Sequence, residues 1–266
     1  RINNRLNISC QSYDSATTGN ITFNLSGPTN LYNFSFALTG TSANYSQNIT
    51  VNLTRNNVIN ATCWARDAAG NVAQNSTLIT VANTPAGTAT IVFPTNDLKT
   101  NMQPLPLNVT FAADPDNDVI NITYYINGIL NQTSLTNTTF NASDGIYILN
   151  VSLHDNVSTI TYSANVTVNF TVDTKFPVVN ATLNITPPRI YDVVNVTANI
   201  TDDTELRTAN ITINFTTGAV KINFTLSGTT AQVSNASRLP DNCVGGCVIN
   251  YTVFATDSSN NVKQNS

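Results

Sequence analysis

Charge is what this sequence has least of. Asp, Glu, Lys and Arg together make up 10% of its 266 residues, against about 25% in ordinary globular proteins. The balance of 11 basic and 15 acidic side chains is a net −4. Such a chain offers no basic cluster for a phosphate backbone, so nucleic acid is not an expected partner. Histidine is nearly absent: His154 stands alone. It has no nucleophile or carboxylate at a recognisable spacing, and HExxH, GxSxG and P-loop patterns are missing. Paired carboxylates occur only in turns, which reads as architecture rather than as glycoside hydrolysis. The expectation is a protein without catalytic residues, not an enzyme. No run of 18 apolar residues occurs, so no helical membrane span is expected in this segment. The chain opens on Arg1 rather than Met, which reads as a cut or processed N-terminus.

Asn and Thr are in excess, at 42 and 41 residues. Between them Val, Ile, Leu, Phe and Tyr recur at strand spacing and can fill cores, so the composition is not that of a disordered chain. The clearest internal feature is a repeat. Ile59 to Ser76, INATCWARDAAGNVAQNS, returns as Ile249 to Ser266, INYTVFATDSSNNVKQNS, identical at ten of eighteen positions over an offset of 190 residues. That offset suits two domains of about 95 residues each. A looser copy lies between them at Asp144 to Asp155, DGIYILNVSLHD. In the first copy polar Asn60, Thr62, Trp64 and Arg66 alternate with Ile59, Ala61, Cys63 and Ala65, the period of a half-buried strand. The Asp67 to Asn71 segment is then a turn.

On these residues the chain resembles the immunoglobulin-like repeats of bacterial and archaeal cell-surface proteins. Their late strand often ends in an A-x-D-x-x-G-N turn, here Ala65-Arg66-Asp67-Ala68-Ala69-Gly70-Asn71. The later copy keeps Ala255, Asp257 and Asn261, with Asn260 in place of the glycine. The resemblance implies an all-β fold of three tandem immunoglobulin-like β-sandwiches, beads in a row, in an extracellular, cell-surface setting. It brings no catalytic residues.

Turn signals place the domains at Arg1 to about Asn83, about Thr84 to Asp173, and Thr174 to Ser266. Asn127-Gly128 between two apolar runs predicts a two-residue hairpin. Aligning Asn7-Ile8-Ser9-Cys10 with Asn195-Val196-Thr197-Ala198 leaves domain one without a counterpart of Pro177 to Thr186, its first strand. Ser266 aligns with Ser76, so domain three is expected to lack its last strand, STLITV in domain one. A window cut from a longer repeat protein, or strands donated between subunits, both explain such ends.

Cys10 and Cys63 face inward by parity. In the fold that the resemblance implies, their strands belong to opposite sheets that a disulfide commonly joins. Cys243 and Cys247 flank Val244-Gly245-Gly246 and could clip a hairpin. An even count with local pairings suits an oxidising exterior, and metal binding is disfavoured because no second Cys pair or His lies nearby.

The strongest signal is the Asn-x-Ser/Thr sequon. There are 27, where random placement would give roughly 10. Domain one has Asn7, Asn20, Asn24, Asn33, Asn44, Asn48, Asn52, Asn60 and Asn75. Domain two has Asn108, Asn121, Asn131, Asn137, Asn141, Asn150, Asn156, Asn165 and Asn169. Domain three has Asn180, Asn184, Asn195, Asn199, Asn210, Asn214, Asn223, Asn235 and Asn250. Many stand four apart, which returns to the same strand face. An alternating strand that uses only Asn and Thr as polar residues makes sequons automatically, but Asn is a poor strand residue and the choice needs a cause. Covalent N-linked glycans supply one, since something must hydrate a nearly uncharged surface.

Asp114, Asp116 and Asp118 space carboxylates in one loop. Asp202, Asp203 and Glu205 occupy the matching loop of domain three, and Asp14 that of domain one. Oxygen ligands at a domain junction could hold calcium, the one cofactor considered, and a solvated turn is the plainer alternative. Together these features point to a densely N-glycosylated structural segment of an extracellular filament, sheath or surface layer, built from copies of itself joined head to tail. The stalk of a cell-surface adhesin is the alternative, and a carbohydrate-binding module a weaker third.

Overall fold

The computed structural model describes residues 3–16, 18–157, 165–216, 218–241, 243 and 248–266, and these contain strands and turns but no helix. In the first part of the chain the strands are β1 (Arg5–Tyr13), β2 (Thr18–Ser26), β3 (Asn30–Ala37), β4 (Ser42–Thr50), β5 (Val58–Asp67) and β6 (Val72–Thr80). β1 pairs with β4, and a second sheet runs β3-β2-β5-β6. Alternation dictates the packing. In β2 the side chains of Ile21, Phe23 and Leu25 are buried, while Asn20, Thr22 and Asn24 share the other face. Leu25, Ile59 and Ala61 of one sheet meet Ile49, Leu6 and Ile8 of the other. Aromatic rings continue this core: Phe36 stacks on Tyr45 at 3.5 Å between centroids, and Phe23 meets Phe34 at 5.2 Å.

The middle part holds β7 (Thr90–Phe93), β8 (Leu98–Thr100), β9 (Leu105–Thr110), β10 (Ile120–Ile126), β11 (Ile129–Ser134), β12 (Thr138–Phe140), β13 (Gly145–Asp155) and β14 (Val166–Val172). Its sheets are β11-β10-β13-β14-β8 and β12-β9-β7. The Asn127-Gly128 turn joins β10 to β11 with φ of 51° and 78°, the left-handed pair a two-residue hairpin needs.

The last part holds β15 (Val178–Leu183), β16 (Val193–Thr201), β17 (Leu206–Phe215), β18 (Gly218–Thr225), β19 (Thr230–Arg238), β20 (Asn250–Asp257) and β21 (Val262–Asn265). Its sheets are β15-β16-β19 and β18-β17-β20-β21. The second order repeats β3-β2-β5-β6 strand for strand, so the sequence repeat is also a topological one. Buried clusters fall within residues 6–81, 86–172 and 179–255, each drawing on both of its sheets. The chain is all-β: tandem immunoglobulin-like β-sandwiches.

One expectation about the ends changes. The last strand expected to be missing is present in short form as β21, paired with β20. The reason is the turn before it. Asp67 and Asp257 each close on the Asn four residues later, so the returning strand starts at Val72 and Val262, earlier than STLITV suggests. Asn260, which stands where the glycine of the turn motif should be, adopts φ 72° against 94° at Gly70, because Asn tolerates the left-handed region. Domain one does differ at its first strand: among the described residues no strand pairs with the edge of β1 that faces away from β4. A crevice of about 330 Å³ lies beside β1, lined by Ile8, Cys10, Phe23, Cys63 and Asn75 among others.

Candidate functional sites: acceptor faces and acidic junctions

The sequon asparagines sit where the strand period puts them. In β4 and the turn after it, Ile49 and Val51 are buried while Asn48, Thr50 and Asn52 are exposed. Of the 27, seventeen are exposed, including Asn7, Asn33, Asn131, Asn141, Asn169, Asn180, Asn223 and Asn250, and nine are half-buried, including Asn20, Asn60, Asn121 and Asn150.

Asn235 is the exception and corrects the expectation. It is 1% exposed, and its Nδ2, the atom a glycan would occupy, donates to the carbonyls of Ile211 and Val220 at 3.1 and 3.2 Å. The cause was readable: Asn235 shares strand parity with Ala231 and Val233, not with Gln232 and Ser234.

Register adds a constraint that one-dimensional spacing hides. Asn7 lies opposite Asn48, Asn24 opposite Asn33, Asn180 opposite Asn199, Asn210 opposite Asn223, and Asn214 opposite Asn250. Directly opposed Cβ atoms stand about 5 Å apart, too close for two sugars side by side. Asn7 and Asn48 bond each other, Nδ2 to Oδ1 at 2.8 Å.

Cys10 and Cys63 are joined by a disulfide with Cα atoms 6.4 Å apart. It ties β1 of one sheet to β5 of the other. Cys243 is also disulfide-bonded; Cys247, its expected partner, lies outside the described residues. His154 is half-buried on β13, opposite Asn121. Trp64 donates its indole N–H to Gln74 Oε1 at 2.8 Å across β5 and β6.

The acidic loops converge on the junctions. Asp114, Asp116 and Asp118 bring carboxylate oxygens within 4.8 Å of one another. Yet most of those oxygens are taken. Asp114 Oδ1 accepts from the Asp116 and Asp118 amides at 2.7 and 3.4 Å. Asp116 accepts the Arg55 amide at 2.8 Å and the Thr84 amide at 2.6 Å. Asp118 receives the Arg55 guanidinium on both oxygens. Only Asp114 Oδ2 is left without a donor, and burial pushes that carboxyl above its ordinary range. The loop the sequence offers for calcium is therefore filled by Arg55 of the first sandwich. Calcium there would have to displace a guanidinium. Asn83 Nδ2 adds a bond to buried Asp155 at 2.8 Å.

The second junction is built differently. Lys99 pairs with Glu205 and Lys175 with Asp203. Asn101 Nδ2 donates to Asn261 Oδ1 at 3.1 Å, and Asn261 Nδ2 donates to the Asp173 carbonyl at 2.9 Å. Asp257 belongs to the same turn as Asp67, but its setting inverts its acidity. Asp67 is held below the usual carboxylate range by the Asn71 side-chain amide, then by backbone amides. Asp257, fully buried against the neighbouring sandwich, is pushed above it by loss of water, despite the same bonds from Asn261. Asp173, Asp202 and Asp257 form the second carboxylate cluster. Sequence spacing did not bring them together, because they lie on three separate segments.

No protein-family model and no curated protein matches this chain. Solved structures do. The FN1–FN3 domains of chicken CNTN1 are 9% identical, over 100% of this chain and 96% of that one, with a TM-score of 0.34. A structure described as explaining host cell surface retention of a 1.5-MDa bacterial ice-binding adhesin is 14% identical over 97% and 88%, at 0.38. Fibronectin(III)-like modules of CbhA from Clostridium thermocellum are 17% identical over 64% and 86%, at 0.30. At such identities and scores no function carries across.

Proposed function

We propose that this chain is a structural stretch of an extracellular, N-glycosylated filament, sheath or surface layer, working through length and surface rather than catalysis. The observation that carries the reading is the set of sequon asparagines on outward strand faces of a body with only 10% charged residues. Hydration that other proteins draw from Lys and Glu would come here from sugars. The Cys10–Cys63 bond supports an oxidising, extracellular setting. Polar clamps at both junctions support sandwiches held end to end rather than strung loosely. Among the described residues no strand covers the outer edge of β1, and a strand from elsewhere in the same chain or from the next copy would satisfy its backbone donors and acceptors. Contacts of that kind, repeated head to tail without closing, make a filament.

The same clamps serve an adhesin stalk equally well, so the stalk is the second reading. Glycopeptide mapping of native-source protein tests the coat. Sugars on exposed sites such as Asn48, Asn131 and Asn250 are expected, and bare peptides throughout would remove the main support.

A further inference from the structure

We propose that Asp173, Asp202 and Asp257 bind a divalent cation of the calcium class at the boundary between the second and third sandwiches. This stands apart from the glycan reading. The three carboxylates offer oxygens within 4.8 Å of one another. Asp173 is 1% exposed and Asp257 0%. They come from three places: Asp173 directly after β14, Asp202 directly after β16, and Asp257 at the end of β20.

Donors satisfy part of the cluster. Asp257 Oδ1 accepts from the Ser259 and Asn261 amides, both at 2.8 Å, and its Oδ2 from Asn261 Nδ2 at 2.7 Å. Asp202 Oδ1 accepts from the Thr204 and Glu205 amides at 2.9 and 3.0 Å. Asp173 Oδ1 accepts from the Lys175 amide at 3.0 Å. That leaves Asp173 Oδ2 and Asp202 Oδ2, both enclosed and both without a hydrogen-bond donor.

The neighbouring ammonium groups are engaged elsewhere, Lys99 with Glu205 and Lys175 with Asp203 and Asp144. The contrast with the first junction is direct: there the Arg55 guanidinium bonds the loop carboxylates themselves, and here the cations are bonded to other carboxylates, Lys175 acting on Asp173 only through space. Buried anionic oxygens without a partner are costly, and one hard cation satisfies both.

Because Asp173 belongs to the second sandwich and the other two to the third, the ion would lock that junction. Isothermal titration of calcium chloride into the chelator-treated full chain tests this. One binding event is expected, with Kd about 10⁻⁴–10⁻³ M, the range of extracellular modules, and a higher melting temperature with calcium than with chelator. Asp202→Asn keeps the Oδ1 acceptor for Thr204 and Glu205 but removes the charge. It should weaken calcium binding at least about tenfold, one charged ligand lost, while melting no lower than the parent in chelator. Asp118→Asn should leave the isotherm unchanged. No calcium heat and no melting shift in the parent chain would overturn the site, as would binding that survives Asp202→Asn.

Discussion

Arg55 reaches across the first junction and donates its Nε–H to both oxygens of Asp118, at 2.9 and 2.7 Å. Its own backbone amide is held by Asp116. One residue of the first sandwich is thus fixed by main chain and side chain to one loop of the second. Arg55→Ala should leave each core intact and loosen the pair. Small-angle scattering of the variant should show a broader distance distribution than the parent, while the cooperative melt of the cores stays in place. An unchanged distribution would mean that Arg55 decorates the junction without holding it.

The opposed asparagines give a pattern of occupancy. On one molecule a glycan is expected on Asn7 or Asn48 but not both, and likewise for Asn24 and Asn33 or Asn180 and Asn199. Asn235 should never be modified in folded protein. Peptides carrying both partners of a pair, at high yield, would contradict this crowding.

Removing the Cys10–Cys63 bond should be costly. It closes a loop of 53 residues, for which chain entropy gives about 4 kcal/mol. Denaturant unfolding of a Cys10→Ala/Cys63→Ala variant against the parent measures the difference. A loss well under about 1 kcal/mol would show that the first sandwich is held by packing alone.

Tyr124 is fully buried on β10, and its hydroxyl has no hydrogen-bond partner. Burial pushes its pKa up to about 12, against about 10 in the unfolded chain. Its proton therefore favours the fold below about pH 10. That contribution is lost as pH rises towards about 12. Tyr124→Phe should raise stability at neutral pH by about 1 kcal/mol, because it removes an unsatisfied buried hydroxyl. It should also blunt alkaline unfolding. A destabilised variant in denaturant titration would show that the hydroxyl has a partner after all.

Local rules carried most of the fold. Period-two alternation over Ile59 to Arg66 marked β5, Asn127-Gly128 marked its hairpin, and inward parity, read with the fold the resemblance implied, anticipated the Cys10–Cys63 bond. What escaped was set by distance in sequence or by a parity left unread. Arg55 and Asp118 lie 63 residues apart, and no spacing rule joins a guanidinium in one sandwich to a loop in the next. Asp173 stands in sequence only as the last residue of the second domain, and the fold alone sets it against Asp202 and Asp257. Asn235 carried its own warning, since its neighbours of like parity are Ala231 and Val233. The turn at Asp257 shows why motif and environment must be kept apart: it repeats the hydrogen bonds of the Asp67 turn, and burial, followed by the neighbouring Asp173 and Asp202 charges, reverses its acidity.

Cryo-electron microscopy of the native assembly tests the central claim most directly. The account predicts a continuous polymer of β-sandwiches in a regular head-to-tail repeat, with sugar density on outward asparagines such as Asn48, Asn131 and Asn250. Separate rods of fixed length, with bare strand faces, would contradict it and favour a stalk.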